Sequence, residues 1–277
     1  MPNEPAVSVV IVTYNSAHCL PQALRSLPAG VEAIVVDNAS ADRSAEIAEQ
    51  LGARVIRNAR NLGFGRACNR GAAVARGEFL LFFNPDAVMA PGALKALVAA
   101  AKDHPEAAAF QANLVRPTAD PADEACEGVR PAEHLLGAAL FVRKADFDAV
   151  GGFDENIFLY YEDTDLSVRL AARGPLLIVL GARVLHVPGH GVKLSLRQRF
   201  IKYRHFAHSR IYFGRKHGQR QDFRLMALEQ GVKGVWAAAR LRLGYAAQHF
   251  GRSFGYLEGY YFNRNGPDAH RHRDPPA

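Results

Sequence analysis

Cysteine is scarce in this chain. Cys19, Cys68 and Cys126 stand far apart among 277 residues. Their number is odd, and their spacing suits neither a zinc site nor a secretory disulfide framework. A reducing, cytoplasmic compartment is therefore expected. Long apolar runs are also missing. No uninterrupted stretch reaches the roughly 18–20 residues that a membrane span needs. The apolar run near the N-terminus, VSVVIVTY, has no basic stretch before it and reads as a strand rather than a signal peptide. Internal repeats and low-complexity tracts are absent as well, which excludes solenoids and arrays.

What remains is a chain with 49% hydrophobic content, enough for one large globular domain or a domain with an appendage. Its net charge of +7 is unevenly spread. Residues His190 to Ala277 hold 17 Lys and Arg against 5 Asp and Glu, whereas the preceding 189 residues hold 17 against 22. An acidic body thus carries a basic C-terminal region, and such asymmetry suits an anionic partner, a membrane surface or a nucleic acid.

The first half alternates strand and helix patterns. Val7–Tyr14 is a continuous β-branched run, as a buried parallel strand requires. Leu20, Leu24 and Leu27 recur at helical spacing, and Val31–Asp37 reads as a second strand. Ser40–Gly52 reads as a helix with a polar start and a terminal glycine. A third strand is expected over Ala53–Asn58, a small-residue helix over Arg66–Ala75 and a fourth strand over Gly77–Asp86. Pro91 opens another helix, to Lys102. This order implies an α/β fold with a mainly parallel sheet and helices on both faces. Beyond Asn113 the pattern weakens. RPTADPADEACEGVRP reads as a surface loop and Leu135–Lys144 as a strand. Glu162–Arg173 reads as an acidic helix, and PLLIVLGARVLHVPGHG as two short strands and a loop.

In such a sheet, ligands bind beyond the carboxyl ends of the strands. Thr13, Tyr14 and Asn15 follow the first strand, and Asp37, Asn38 and Ser40 the second. Asn58, Asn61, Gly63 and Gly65 follow the third, and Asn84 and Asp86 the fourth. Turns and caps also favour these residue types, but their recurrence at every exit points to a site. GFGRAC lacks the third glycine of a dinucleotide fingerprint and follows the wrong strand, so NAD is not expected. Asp86 could hold Mg2+ or Mn2+ against a diphosphate, since hard cations choose oxygen ligands. His186 ends a short apolar run and is a better candidate than His190, while Pro188 and Gly189 rule out a helical zinc motif. In FLYYEDTDLSVRL, Asp165 and Arg169 stand i, i+4 and can pair, and Leu166 and Leu170 face a core. Glu162 and Asp163 are less easily explained as helix-start acids, and a carboxylate in a partly apolar cleft can serve as a general base.

These stretches, VSVVIVTYNS, VVDNASAD, NARNLGFGRACNRG, FFNPDAVMAPGAL, LLGAALFVRKADFDAVGGFDENIFLYYEDTDLSVRLAARG and VLHVPGHG, together resemble the inverting GT-A glycosyltransferases of family 2. The likeness is to the rhamnosyltransferase-like branch and spans about residues 7–192. It implies a GT-A catalytic domain over residues 1–192. A basic, aromatic, mainly helical extension over 193–262 and a disordered tail over 263–277 would follow. The resemblance implies that Thr13, Tyr14, Asn15, Asp37, Asn38 and Ser40 line a nucleotide-sugar pocket, with Asp37 accepting the N3–H of uracil or thymine. It implies that Asn61, Gly63 and Asn69 approach the nucleotide or its phosphates. Asn84 and Asp86 stand at the family's D-x-D motif, with asparagine in place of the first acid. Asp86 and His186 would hold Mg2+ or Mn2+. Asp163 would be the catalytic base, with Glu162 beside it.

The basic region interleaves cations with aromatics. Nucleic-acid binding is a rival reading, but no nucleic-acid motif accompanies it, and none is expected. Met226–Phe262 could instead lie on an anionic bilayer or pack as ordinary helices with a basic face. The expected activity is transfer of a sugar to a saccharide or polyprenyl-linked saccharide in cell-envelope polysaccharide synthesis, at the inner face of the membrane. dTDP-L-rhamnose is the donor the resemblance favours, and a UDP-hexose is the alternative. A non-catalytic binding protein that keeps the fold is the reading of another class.

Overall fold

The computed structural model describes residues 6–116, 127–186, 194–219 and 221–262. The chain divides into two compact units. One comprises Met1–Asp154 and Asp163–Lys193, and the other comprises Glu155–Glu162 and Leu194–Ala277. The expected disordered tail, 263–277, and most of the expected loop, 117–126, lie outside the described residues.

The first unit is built on a nine-stranded sheet. Its elements are β1 (Val7–Thr13), α1 (Leu20–Arg25), β2 (Glu32–Asp37), α2 (Ser44–Gln50), β3 (Arg54–Arg57), α3 (Phe64–Val74), β4 (Phe79–Phe83), β5 (Ala87–Met89) and α4 (Ala93–Asp103). Then come β6 (Ala109–Val115), β7 (Val129–Pro131), β8 (Ala139–Arg143), α5 (Lys144–Ala149), α6 (Glu162–Ala171) and β9 (Leu176–His186). The strand order is β3-β2-β1-β4-β8-β6-β9-β5, with β7 beside β9. β1 to β4 run parallel. β8 is antiparallel to both β4 and β6, and β5 and β7 are antiparallel to β9.

Every residue of β1 and β4 is buried, as strands covered on both faces should be. Alternate residues then feed two cores. Val9, Ile11, Leu81 and Phe83 pack with Leu20, Leu24 and Leu97. Val10, Val12, Leu80 and Phe82 pack with Ala67, Ala72, Leu166 and Leu170. Phe82 is fully buried, with the rings of Phe147 and Phe153 each 5.0 Å away. Truncating such a side chain to alanine costs about 3–5 kcal/mol.

Four features depart from the sequence reading, the first being that β7, Val129–Pro131, forms inside the stretch expected as a surface loop. β5 follows Asp86 at once, ahead of the helix at Pro91. β6, Ala109–Val115, forms where no strand was expected. The two short strands expected around Gly181 are one strand, β9, bent by an irregularity opposite Ala112 and Asn113. A bulge absorbs the extra residues while pairing continues on either side.

The second unit is helical. Its long helices are α7 (Leu196–Lys216), α8 (Phe223–Ala239) and α9 (Leu243–Phe262). Ser195 and Gln198 close a capping box at the start of α7. Asp222 caps α8 by accepting from the Arg224 and Leu225 N–H groups. On α9, Gly251, Gly255 and Gly259 form a stripe at i, i+4 spacing. A Cβ on Gly251 would meet Phe200 O at 2.3 Å, and one on Gly255 would meet Arg204 O at 2.6 Å. The backbones of α7 and α9 therefore touch where only glycine fits. Glu258 ties the same helices, accepting from Arg204 Nη2 at 2.8 Å and lying 3.1 Å from His208 Nε2.

The segment Glu155–Glu162 belongs to this helical unit. Ser209 Oγ donates to Leu159 O at 2.9 Å, and Phe206 packs against the rings of both Tyr160 and Tyr161. Those two tyrosines hold φ of 65° and 67°, a left-handed backbone rare for bulky residues. Burial, with the charge of Glu162, pushes the Tyr160 phenol up to about 12.

Candidate active site

The parallel pairing of β1 with β2 sets Thr13 opposite Asp37, at the carboxyl ends of both strands. Both are buried, and neither Thr13 Oγ1 nor Asp37 Oδ1 has a hydrogen-bond partner among the described residues. Buried polar atoms are normally paired, so two unpaired ones side by side mark a place for a ligand. The other carboxylate oxygen of Asp37 accepts from the Ser40 N–H at 3.2 Å. Ser40 Oγ in turn accepts from the Asn15 N–H at 2.9 Å, and Asn15 Oδ1 from the Ala41 N–H at 2.7 Å. Asn15 is left-handed, with φ of 53°. These bonds join the two exit loops into one wall, on which Tyr14 stays exposed.

Asn38 is the hub of the next wall. Its Oδ1 accepts from Asn58 Nδ2 and from the Leu62 N–H, each at 2.9 Å. Its Nδ2 donates to Asn61 Oδ1 at 2.9 Å and to Gly63 O at 3.0 Å. The whole amide is spent on shaping the loop before α3. Asn61 Oδ1 also accepts from the Gly63 N–H, where φ of 84° suits glycine. Asn69 spends both ends of its amide on the backbone of Phe153, at 2.9 Å each. Asn38 and Asn69 thus hold loops in place in this structure.

A third cluster forms because β5 starts directly after Asp86 and pairs with the end of β9. The register sets Ala87 opposite His186. Asp86 Oδ1 lies 3.4 Å from His186 Nε2, and Asn84 Nδ2 lies 3.3 Å from the same nitrogen. The amide N–H calls for a lone pair on Nε2, whereas the carboxylate calls for a proton there. With the Asn84 amide turned to present its oxygen, a single Nε2–H serves both contacts, and Asp86 and His186 are also the two side chains placed to share a cation. Among the described residues no group of three or more His, Cys, Asp or Glu is arranged to hold a metal ion. Two protein donors fit a hard divalent ion that completes its shell with phosphate oxygens and water. Burial, helped by the charge of Asp86, pushes the Cys19 thiol up to about 11. The rest of HVPGHG, including His190, lies outside the described residues.

The acids of α6 differ in surroundings. Asp165 is fully buried and paired with Arg169 at 2.8 Å, whose Nη1 also donates to Val150 O and Gly152 O at 2.7 Å each. Glu162 is buried at 7% exposure. Asp163 alone of the three is partly exposed. Its Oδ1 accepts from the Thr164 N–H at 2.7 Å, and its Oδ2 from the Gly137 N–H at 3.1 Å. The next residue, Ala138, accepts from the Asn84 N–H at 3.0 Å. Two adjacent residues ahead of β8 therefore anchor both the Asn-Pro-Asp turn and the Asp163 carboxylate. Sequence reasoning missed Gly137, whose only signal is a glycine at the head of a strand. A Cβ there would press on Phe64 at 3.0 Å.

Comparisons with known proteins bear on the family and the fold. Residues 8–135 match the model of Glycosyl transferase family 2. An N-acetylglucosaminyl-diphospho-decaprenol L-rhamnosyltransferase of Mycobacterium tuberculosis is 31% identical, over 66% of this chain and 76% of that protein. Among solved structures, a mannosyltransferase from Pyrobaculum calidifontis in complex with GDP-Man and Mn2+ superposes with a TM-score of 0.62 at 16% identity, covering 94% of this chain and 88% of that one. TarS of S. aureus superposes at 0.56 with 18% identity, covering 91% and 90%. At such identities these structures speak for the fold, which is that of GT-A glycosyltransferases. With the rhamnosyltransferase relative covered over three quarters of its length, the chain belongs to glycosyl transferase family 2 and is a glycosyltransferase.

Proposed function

We propose that the protein transfers L-rhamnose from dTDP-L-rhamnose, with inversion, to a hydroxyl of a lipid-linked saccharide in cell-envelope polysaccharide synthesis. The observation that carries the reading is the anchoring of Asp163 and Asn84 on the adjacent residues Gly137 and Ala138. It ties the base to the diphosphate end of the donor site. The donor and acceptor classes follow from the mycobacterial relative, whose name specifies an L-rhamnosyltransferase acting on N-acetylglucosaminyl-diphospho-decaprenol. An acceptor of that class lies at a membrane, so the enzyme works at the inner face of the bilayer.

Each residue then has a task. Asp37 accepts the N3–H of the pyrimidine through its unpaired oxygen, with Thr13 beside it. Tyr14, Asn15 and Ser40 form the wall around the nucleoside. Asn38, Asn61 and Gly63 hold the loop that borders the phosphates, and Asn69 fixes α3 behind it. Asp163 removes the proton of the acceptor hydroxyl as that oxygen attacks C1 of the sugar. The C1–O bond to the nucleoside diphosphate breaks in the same displacement, so the anomeric centre inverts. Glu162 stands next to Asp163 in sequence and is buried. Asp86 and His186 would hold Mg2+ or Mn2+, which supplies positive charge to offset that of the departing diphosphate.

The test is release of nucleoside diphosphate from a panel of dTDP- and UDP-sugars, with a membrane lipid extract as acceptor, with and without each metal. Release from dTDP-rhamnose that depends on lipid and disappears in Asp163→Asn is the expected result. Release from a UDP-hexose alone would replace the donor. Near-normal turnover of Asp163→Asn would remove the base assignment.

A further inference from the structure

In the helical unit, α8 buries Phe223, Ala227, Gly234 and Ala237. Its opposite face carries Leu225, Leu228, Val232, Val235 and Trp236, spaced as one helical stripe and all exposed. Leu228, at 65% exposure, lines an open groove of about 840 Å3 with Val232, Val235 and Leu257. The stripe runs into the turn between α8 and α9. There Leu241 is 85% exposed and sits in the left-handed region, with φ of 56°. Glycine or asparagine is the residue expected at that position after a helix. Leucine accepts backbone strain there while staying 85% exposed. Leu243 and Tyr245 continue the exposed apolar surface.

The charge around this tip has one sign. Residues 239–245 read ARLRLGY, with two arginines and no acid. The Arg240 guanidinium lies 3.5 Å from the ring centre of Trp236, and that of Arg242 lies 4.5 Å from the ring centre of Tyr245. Indole, phenol and guanidinium together are the groups that settle at the level of lipid headgroups, with leucine below them. No helix among the described residues is long and apolar enough to cross a membrane. A second copy docked tip to tip would oppose Arg240 and Arg242 to their own counterparts, whereas an anionic headgroup layer complements them.

We infer that the exposed stripe of α8 and the α8–α9 turn form the surface by which this protein seats on an anionic bilayer. Leu241 and Trp236 enter the apolar boundary, and Arg240 and Arg242 bind lipid phosphates. The inference deepens the membrane part of the proposed function by naming the surface, and it is read without any sugar nucleotide.

The experiment uses the full chain and vesicles of phosphatidylcholine alone or mixed with an equal part of phosphatidylglycerol. Trp236 is the only tryptophan, so its emission reports on this face directly. The expected results are cosedimentation with the anionic vesicles, a blue shift of emission on binding, and little of either with phosphatidylcholine alone. Leu241→Gly relieves the left-handed strain and is expected to keep the fold, yet to weaken binding by about tenfold. Arg240→Gln with Arg242→Gln is expected to weaken anionic binding and its salt dependence together. Binding without a shift in Trp236 emission, or unchanged binding in both variants, would overturn the proposal. So would a dimer in sedimentation equilibrium that Leu241→Gly converts to monomer, since the face would then be a protein interface. Failure of vesicle binding leaves the transferase reading standing, and absence of nucleotide release leaves this one standing.

Discussion

In the sheet-bearing unit the large apolar side chains are inside: Phe82, Phe83, Phe110, Phe141 and Phe153 are at most 1% exposed. In the helical unit, Leu225, Leu228, Val232, Val235 and Leu241 are between 62% and 85% exposed. The first unit spends its apolar residues on a core and its polar residues on strand exits. The second spends glycines on close helix contact and leaves leucines outside. A core demands that every residue suit a neighbour in the same chain. A docking surface answers to something outside it. The difference separates the chemistry from the surface, and variants can test the two independently.

The sharpest break is Asp163→Asn. Turnover is expected to fall by about a thousandfold, while vesicle binding and thermal stability stay near those of the parent protein. Asp86→Asn comes next, with a loss of about a hundredfold in turnover and a weaker response to added metal. Its vesicle binding should not change. Gly255→Leu acts in the opposite direction. It drives a side chain into Arg204 O and the Ala207 side chain and should destabilise the helical unit by about 3 kcal/mol. Far-UV circular dichroism during heating would show this, and vesicle binding would fall with it. Asn38→Ala removes the hub of the loop before α3 and is expected to cost about 2 kcal/mol, with donor KM rising more than kcat falls.

The smallest effect concerns acid. Burial opposes ionisation of Glu258, but hydrogen bonds from His208 and Arg204 outweigh it and hold the carboxyl down from 4.5 to about 2. A depressed carboxyl stabilises above its unfolded value. The helical unit should therefore lose stability as pH falls from about 4.5 toward 2. Glu258→Gln should flatten that dependence in a thermal-unfolding series.

The same contrast explains what could be read in the sequence. Continuous apolar runs, β-branched in β1 and β2 and made of Phe and Leu in β4, gave these strands away, because strands buried on both faces tolerate little else. The i, i+4 rule found the Asp165–Arg169 pair and the core positions Leu166 and Leu170. β5 was hidden because its three residues, Ala87–Met89, are too few to show a period, yet this strand brings His186 to Asp86. β6 follows a helix through a run of alanines that fits either state. β9 was split at Gly181 because a bulge and a turn look alike in one dimension. In the candidate site, the residue types at the strand exits were legible. Their division of labour was not, since nothing local shows that Asn38 spends its amide on three neighbouring loop residues, Asn58, Asn61 and Leu62, and on Gly63. Gly137 was missed for the same reason, its partner being 26 residues away.

The left-handed Leu241 has a consequence for anyone engineering this enzyme. Automated stabilisation favours glycine or asparagine at such a position, and the exchange would raise melting temperature and expression. The product would look improved in every assay run in free solution. With a water-soluble acceptor it would turn over as before. Its defect would emerge only when the acceptor is confined to two dimensions, where residence time on the surface governs how often catalyst and substrate meet.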